Sequence, residues 1–225
     1  TVASGHVSSD LGYVSSNPFI LNNGTIVDVA NNSANMTLPD AGAQNSLSSN
    51  KAIIVDGTVS TITSVSSDVS DGTYRLGQTI PIKITFSEAV VVTGTPQLTL
   101  ETGTSDAVVD YSGSGSGSNA LTFNYTVAAG HSVSDLDYVS TSALALNGGT
   151  IKDAAGNAAT LTLASPGASG SLGANKALVI DGVLPATPTG LVATPGNAQN
   201  VLTWTANSES DLASYKVYGG TSSNP

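Results

Sequence analysis

The sequence predicts an all-β protein built from antiparallel sandwiches, and three observations indicate this fold class. The apolar pattern has a period of two, so that Ile80, Ile82, Ile84 and Phe86 fall on one face of an extended segment. Such segments are short and are separated by clusters of Gly, Asn, Asp and Ser, as in sandwich domains. A long stretch of the chain also occurs twice, which is typical of an array of similar domains.

The strand predictions follow from the same pattern along the chain. Alternation is clearest in "TIPIKITF" and in "LTFNYTV", each of which predicts a strand with one buried face. The run "SGSGSGSN" at 112–119 has the composition of a flexible linker, but it lies between two strand patterns, so a long hairpin loop is expected. The predicted strands cover residues 79–86, 90–93, 97–101, 107–111, 121–127, 143–146, 159–163 and 177–181.

The repeat sets the expected domain boundaries. Residues 2–57 align without gaps on residues 127–182, an offset of 182 − 57 = 125 residues, and 30 of the 56 aligned pairs are identical. We therefore expect a complete unit at 58–182 and the C-terminal half of a preceding unit at 1–57. Half a sandwich leaves strand edges unpaired, so association or fraying is expected outside 58–182.

The pattern changes after Gly182. A Pro-rich linker is expected at 183–189, followed by strand patterns at 190–194, 200–205 and 213–218. The single Trp204 on the second of these strands and "SYKVY" on the third resemble the first three strands of a fibronectin type III domain. A complete domain of that kind needs about 100 residues, so residues 190–225 are expected to be its N-terminal part.

Composition excludes several classes of partner. The net charge is −10, and thirteen of the sixteen acidic residues are Asp. Six scattered basic residues form no patch for a phosphate backbone, so no nucleic acid partner is expected. No apolar run approaches the ~20 residues of a membrane helix, so no membrane insertion is expected. With no cysteine, a disulfide or thiolate metal site is impossible.

Three longer motifs carry a family resemblance. They are "DGTYRLGQTIPIKITFSEAVVVTGTPQLTL" at 71–100, "ALTFNYTVAAG" at 120–130 and "LNGGTIKDAAGNAATLTL" at 146–163. The chain resembles bacterial immunoglobulin-like tandem repeats of large secreted, cell-surface and adhesin proteins, including the flagellar-system-associated repeat type. The resemblance implies an extracellular or cell-surface location, neighbouring immunoglobulin-like domains as partners, and a spacer or adhesive stalk without enzymatic activity.

The motif "DAAGN" at 153–157 has two interpretations. Asp153 and Asn157 could supply oxygen ligands to calcium, which takes six to eight oxygens. Alternatively, Asp153 could bond its own backbone in an Asx turn. The first copy has "DVANN" here, so that Asn31 replaces Gly156, and these two residue types most easily adopt positive φ.

A calcium site at the junction between units is a second hypothesis. Glu88 is the single acid in an apolar strand segment, and Asp56 precedes it at the junction. Asp135 and Asp137 lie in a loop that could reach one end of the sheet, although Gly12 replaces Asp137 in the first copy, and an ion at the junction would neutralise repelling carboxylates. The candidate calcium ligands are Asp56, Glu88, Asp135, Asp153, Asn157 and Asp181.

Catalysis is not expected from the two histidines, His6 and His131, because they occupy equivalent loop positions and catalytic sites are rarely duplicated in an array. The alternative to a stalk is an accessory spacer or glycan-binding module of a secreted polysaccharide-degrading enzyme. Sugars stack on exposed rings, so glycan binding would need aromatic side chains at the surface. The candidate rings are Tyr13, Tyr74, Tyr111 and Tyr138.

Overall fold

The computed structural model describes residues 1–209 and 212–219 and shows a nearly all-β chain, which confirms the predicted fold class. The first repeat copy contains two short strands and one helical turn. Neither helix in the described part of the chain has the length and apolarity of a membrane span. The elements of the first copy are β1 (Val7–Ser8), α1 (Leu47–Asn50) and β2 (Val55–Asp56).

The complete copy at 58–182, all of which is described, forms the body of the fold. Its elements are β3 (Ile62–Ser67), β4 (Gly72–Arg75), β5 (Thr79–Thr93), β6 (Gln97–Glu101), β7 (Ala107–Asp110), β8 (Ser118–Thr126), β9 (Ser132–Val133), β10 (Asp137–Tyr138), β11 (Leu144–Ala145), β12 (Thr150–Asp153), α2 (Leu172–Asn175) and β13 (Leu178–Asp181).

Three sheets make up this copy. In the first, the long strand β5 pairs antiparallel with β3, β8 and β12. In the second, β6 pairs antiparallel with β7, β10 and β11. In the third, β13 lies between β9, which is antiparallel, and β4, which is parallel. The parallel pair departs from the expected antiparallel pattern, and it is possible because the connection between β4 and β13 is far longer than a hairpin.

The core lies between these sheets and follows the predicted alternation. Ile80, Ile82 and Ile84 of β5 are fully buried, and they alternate with half-buried or exposed residues. Leu98 and Leu100 of β6 are buried in the same cluster. Because one face of each strand is withdrawn from water, hydrophobic burial fixes the register of the strands.

Three of the strands predicted within the complete copy differ from the structure. The predicted strands at 79–86 and 90–93 form the single strand β5, whose pairing with β8 shifts register between Thr85 and Val90. Such a shift marks a β-bulge, which leaves residues unpaired and bends the strand. Residues 159–163 form no strand, and Thr160 makes only an isolated bridge to Thr61.

The Gly-Ser run at 112–119 is ordered and leads from β7 into the start of β8, as expected for a loop rather than a linker. The expected hairpin is wrong, because β7 pairs with β6 and β8 pairs with β5, and an isolated bridge between Tyr111 and Phe123 joins the two segments. The Gly117 N–H donates to the Val90 carbonyl at 2.7 Å, and the Val92 N–H donates to Ser116 Oγ at 3.0 Å. A Cβ atom at Gly115 would lie 1.9 Å from the Ala120 carbonyl oxygen. Only glycine therefore fits at position 115.

The segment after Gly182 forms one hairpin in its described part. Strands β14 (Thr189–Gly196) and β15 (Gln199–Thr205) pair antiparallel, close to the first two predicted strands. The third predicted strand, at 213–218, is not formed, and Tyr215 instead packs against Trp204 with ring centroids 5.2 Å apart. Residues 210, 211 and 220–225 of the predicted 190–225 domain lie outside the described residues.

Candidate metal centre

Three carboxylates meet at the boundary between the two repeat copies. One oxygen from each of Asp56, Glu88 and Asp153 lies within 4.8 Å of the other two. Asp56 belongs to the last strand of the first copy, whereas Glu88 and Asp153 belong to the complete copy. We call these three residues the junction cluster; it is the one group of this kind in the described part of the chain.

The bulge in β5 explains why two of these acids lie close together. Glu88 lies within the irregular stretch between Thr85 and Val90, where the pairing with β8 is interrupted. Directly beyond the bulge, Val90 pairs with Asp153 at the end of β12. The chain therefore brings Glu88 and Asp153 to the same end of the sheet, although they are 65 positions apart in sequence, since 153 − 88 = 65.

Asn157 connects the turn after β12 to the junction backbone. Its Nδ2, whose two N–H groups serve three acceptors, lies 2.8 Å from Asp153 Oδ2, 3.0 Å from the Asp56 carbonyl oxygen and 3.1 Å from the Thr58 carbonyl oxygen. The Asn157 N–H also donates to Asp153 Oδ1 at 2.8 Å. These contacts position Asp153 and tie the second copy to the end of the first.

Asp153 accepts hydrogen bonds from its own backbone in "DAAGN", as the turn interpretation expects, and the first copy repeats this contact. There Asp28 Oδ1 accepts the Asn32 N–H at 2.8 Å, as Asp153 accepts that of Asn157. The exchanged position adopts positive φ in both copies, 73° at Asn31 and 92° at Gly156. This accounts for the Gly and Asn found there, because both tolerate left-handed backbone.

The pKa values of two members of the junction cluster are shifted in opposite directions. Burial, followed by repulsion from Asp56 and Asp153, raises the pKa of Glu88 above its ordinary value. Burial also acts to raise the pKa of Asp153, but the side-chain and backbone hydrogen bonds from Asn157 and those from the turn amides outweigh it and lower that pKa. Glu88 Oε1 is buried without a hydrogen-bond partner in the described structure.

These features fit a hard divalent cation. Calcium binds carboxylate and carbonyl oxygens, and its charge would balance the repulsion that raises the pKa of Glu88. A buried carboxylate oxygen without a partner is an unusual feature that a coordinated cation would account for. Clefts of about 600 and 470 Å³ border the strand that carries Asp56, and Glu88 lines the first of them while Asn157 lines the second.

Asp135 and Asp181, two further candidate ligands, do not join this cluster. Asp135 lies between β9 and β10, beside α2, where a Cβ atom at Gly173 would be 3.2 Å from its Oδ2. Asp181 ends β13, and its Oδ1 accepts the Val183 N–H at 3.2 Å. Asp181 is the repeat equivalent of Asp56, so it lies at the opposite end of the complete copy.

The four candidate tyrosines and His131 are partly or fully buried, whereas His6 is exposed. None of the four tyrosines is exposed, and Tyr138 is fully buried, with its OH donating to the Ala164 carbonyl at 2.7 Å. They therefore give no open platform for a sugar ring. The His131 ring stacks on Tyr125, and its Nδ1 lies 2.9 Å from the Tyr125 hydroxyl.

The contacts of the Asn157 side-chain nitrogen are not predictable from the sequence. Asn157 was a candidate because of its oxygen, whereas the structure shows its nitrogen bonded to three oxygens. Both repeat copies have Asn at this position, Asn32 and Asn157, which indicates a specific contact but does not show which atoms the side chain binds.

Comparisons with known proteins give no match: no protein-family model, curated protein or solved structure is similar to the chain. Function is therefore inferred from the residues at the junction.

Proposed function

We propose that the chain is a non-catalytic structural or adhesive stalk module of a large secreted or cell-surface bacterial protein, and that calcium bound by the junction cluster stiffens it. The observation that carries the proposal is the position of the cluster. Its three acids come from two successive repeat copies and meet at the boundary between them. Such a boundary is where an array of similar domains would bend.

The bound ion would couple the two copies through its ligands. Asp56 would anchor it to the first copy, and Glu88 and Asp153 would anchor it to the second. Each of the three carboxylates brings one oxygen to the cluster, and further carboxylate, carbonyl or water oxygens would complete the six to eight that calcium takes. The ion supplies positive charge, which removes the cost of holding three carboxylates together, while Asn157 keeps the Asp153 turn against the junction backbone.

Thermal unfolding of the full chain in excess calcium, excess magnesium or chelator tests the proposal. We expect calcium to raise Tm by about 5 °C or more, because a ligand that binds only the folded state stabilises it. Magnesium should act weakly, since it demands a tighter octahedral shell than these spread carboxylates provide. Calorimetric titration should show one calcium site per chain.

Two variants separate the junction cluster from general charge effects. Glu88→Gln removes a ligand charge and should abolish the calcium-dependent rise in Tm. Asp106→Asn removes one charge at an exposed position outside the cluster and should keep the rise. Superimposed melting curves in calcium and chelator for the unsubstituted chain would disprove the calcium site. A metal-free spacer would then remain as the interpretation.

A further inference from the structure

The first repeat copy exposes an apolar face that the second copy buries. Ile26 is 52% exposed while its equivalent Ile151 is 2% exposed, and Phe19 is 51% exposed while its equivalent Leu144 is 4% exposed. We call this surface the open face. Its other exposed members, whose equivalents are all buried, are Val2, Leu11, Leu47 and Ile53.

The open face is not the product of a different backbone conformation. The Leu11 N–H donates to the Ile53 carbonyl at 2.8 Å, and at the equivalent place the Leu136 N–H donates to the Leu178 carbonyl at 2.8 Å. The first copy thus already has the conformation that buries these positions in the second. Two further backbone hydrogen bonds recur at the same offset. The bond from Ala34 N–H to the Ile26 carbonyl corresponds to that from Ala159 N–H to the Ile151 carbonyl, and the bond from Gly57 N–H to the His6 carbonyl corresponds to that from Gly182 N–H to the His131 carbonyl.

In the complete copy, residues 58–126 cover the equivalent face. Strand β12 pairs with β5, β13 pairs with β4, and β10 and β11 pair with β6. We propose that the open face of residues 1–57 is an interaction surface for a further β-half-sandwich with the side-chain pattern of residues 58–126. Binding would complete a second sandwich like the one at 58–182.

Polar groups at the rim of the open face support this choice of partner. In the complete copy, Lys176 Nζ pairs with an Asp71 carboxylate oxygen at 2.9 Å, and Asn175 Nδ2 donates to the Val65 carbonyl at 2.8 Å. Residues 50–51 repeat this Asn-Lys pair, and their side chains have no hydrogen-bond or ion-pair partner among the described residues. Lys51 is therefore positioned to pair with an Asp that the partner half-sandwich would carry at the position equivalent to Asp71.

A second copy of this chain cannot supply the partner by exchanging halves. Each chain has two segments whose apolar face must be covered, 1–57 and 127–182, but a single half of the 58–126 type among its described residues to cover them. If the open face of one chain took residues 58–126 of another, segment 127–182 of that chain would be uncovered instead. The buried apolar area would not increase, so an additional half of the 58–126 type is required.

The repeat register provides a test in the full chain. Thr1 is equivalent to Thr126, so a duplicate of residues 58–125 joined directly before Thr1 continues into the first copy as in the complete unit. In this extended chain, we expect amide hydrogen exchange of residues 25–28 to slow by at least about a hundredfold relative to the unextended chain, because local opening would then disrupt a packed sheet. This expectation does not depend on calcium.

A matched variant and the unextended chain complete the experiment. The same extension with Ile84→Asp in the duplicate alone should restore fast exchange at 25–28 and leave 150–153 protected. Unchanged exchange at 25–28 in the extended chain, with 150–153 protected, would overturn the proposal. Protection of 25–28 in an unextended chain that sediments as a dimer would also overturn it, because a second copy would then be the occupant.

Discussion

Gly156 and Asn31 show how one backbone position restricts its residue. Both lie in the turn that follows an Asp, and both have φ in the left-handed region, 92° and 73°. A side chain without a local hydrogen bond is disfavoured there, whereas Gly and Asn are tolerated. The exchange between copies therefore reports the conformation directly.

Substitution at Gly156 should depend on the residue introduced. We expect Gly156→Ala to lower the free energy of unfolding by about 1–2 kcal/mol, since an L-residue with a Cβ is strained at this φ. Gly156→Asn should cost clearly less, because Asn31 adopts this conformation in the first copy. Urea unfolding of the two variants measures the difference, and equal losses would contradict the turn argument.

Gly173 and Asp137 show a second exchange between copies. A Cβ atom at Gly173 would lie 3.0 Å from Asp137 Oδ2, so a larger residue would crowd this carboxylate. The first copy has Ser48 in place of Gly173 and Gly12 in place of Asp137, which removes the crowding. Asp137 also accepts the Gly167 N–H at 2.9 Å, a contact that Gly12 cannot make.

The raised pKa of Glu88 makes stability fall with pH in the absence of metal. The folded state holds its proton to a higher pH than the unfolded state, so folding is favoured below the ordinary Glu range and loses that advantage as pH rises through the folded pKa. In the presence of chelator, the Glu88→Gln variant should lose less stability than the unsubstituted chain as pH rises above the ordinary Glu pKa of about 4.3. Denaturant midpoints between pH 4 and about pH 7 measure it.

The lowered pKa of Asp153 acts in the opposite direction and in a different window. Its contribution to stability is present above the ordinary Asp pKa and is lost as pH falls through the lowered value. The two effects are therefore separable by pH. A Glu88→Gln variant whose midpoints fall as steeply as those of the unsubstituted chain would show that Glu88 is not the group responsible.

At the scale of elements, equivalent helices experience different surroundings. Both α1 and α2 are single turns capped by a serine: Ser46 Oγ accepts the Ser49 N–H at 3.2 Å, and Ser171 Oγ accepts the Ala174 N–H at 3.1 Å. Their first residues differ in burial, because Leu172 is fully buried and Leu47 is exposed. The local sequence therefore forms the turn, and packing determines what that turn contributes to stability.

This difference predicts unequal costs for the same substitution. Leu172→Ala should lower the free energy of unfolding by about 2–5 kcal/mol, because it leaves a cavity in the core. Leu47→Ala should cost less than about 1 kcal/mol, as for other exposed positions. Thermal or urea unfolding of both variants compares them, and a large loss at Leu47 would show that the first copy is packed in solution.

At the scale of the whole molecule, the chain contains one completed sandwich and one half with the same local structure. The completed sandwich gathers the apolar residues into a single core. The half copy contributes Asp56 to the junction cluster while leaving its own apolar face open. Residues 1–57 therefore take part in two different contacts. The junction cluster joins them to the unit that follows, and the open face is available to a further half-sandwich.

The all-β class, the repeat and the turn residues can be predicted from the sequence. Alternation predicts which face of β5 is buried, the 125-residue offset reveals the repeat, and Asp followed by Gly or Asn at a set spacing favours a turn, so each depends on local chemistry or on comparing the chain with itself. The continuous strand β5 was less predictable, because "SEA" reads as a break and the bulge that accommodates it depends on pairing with β8.

Long-range packing, by contrast, sets which acids meet, which strands run parallel and which apolar face is open. Asp56, Glu88 and Asp153 are spread over nearly 100 positions, and local sequence does not separate Asp56 and Asp153 from Asp135 or Asp181. The parallel pairing of β4 with β13 likewise joins distant segments. These features depend on long-range packing, in which the chain brings residues together according to the core they bury and not according to their spacing in sequence.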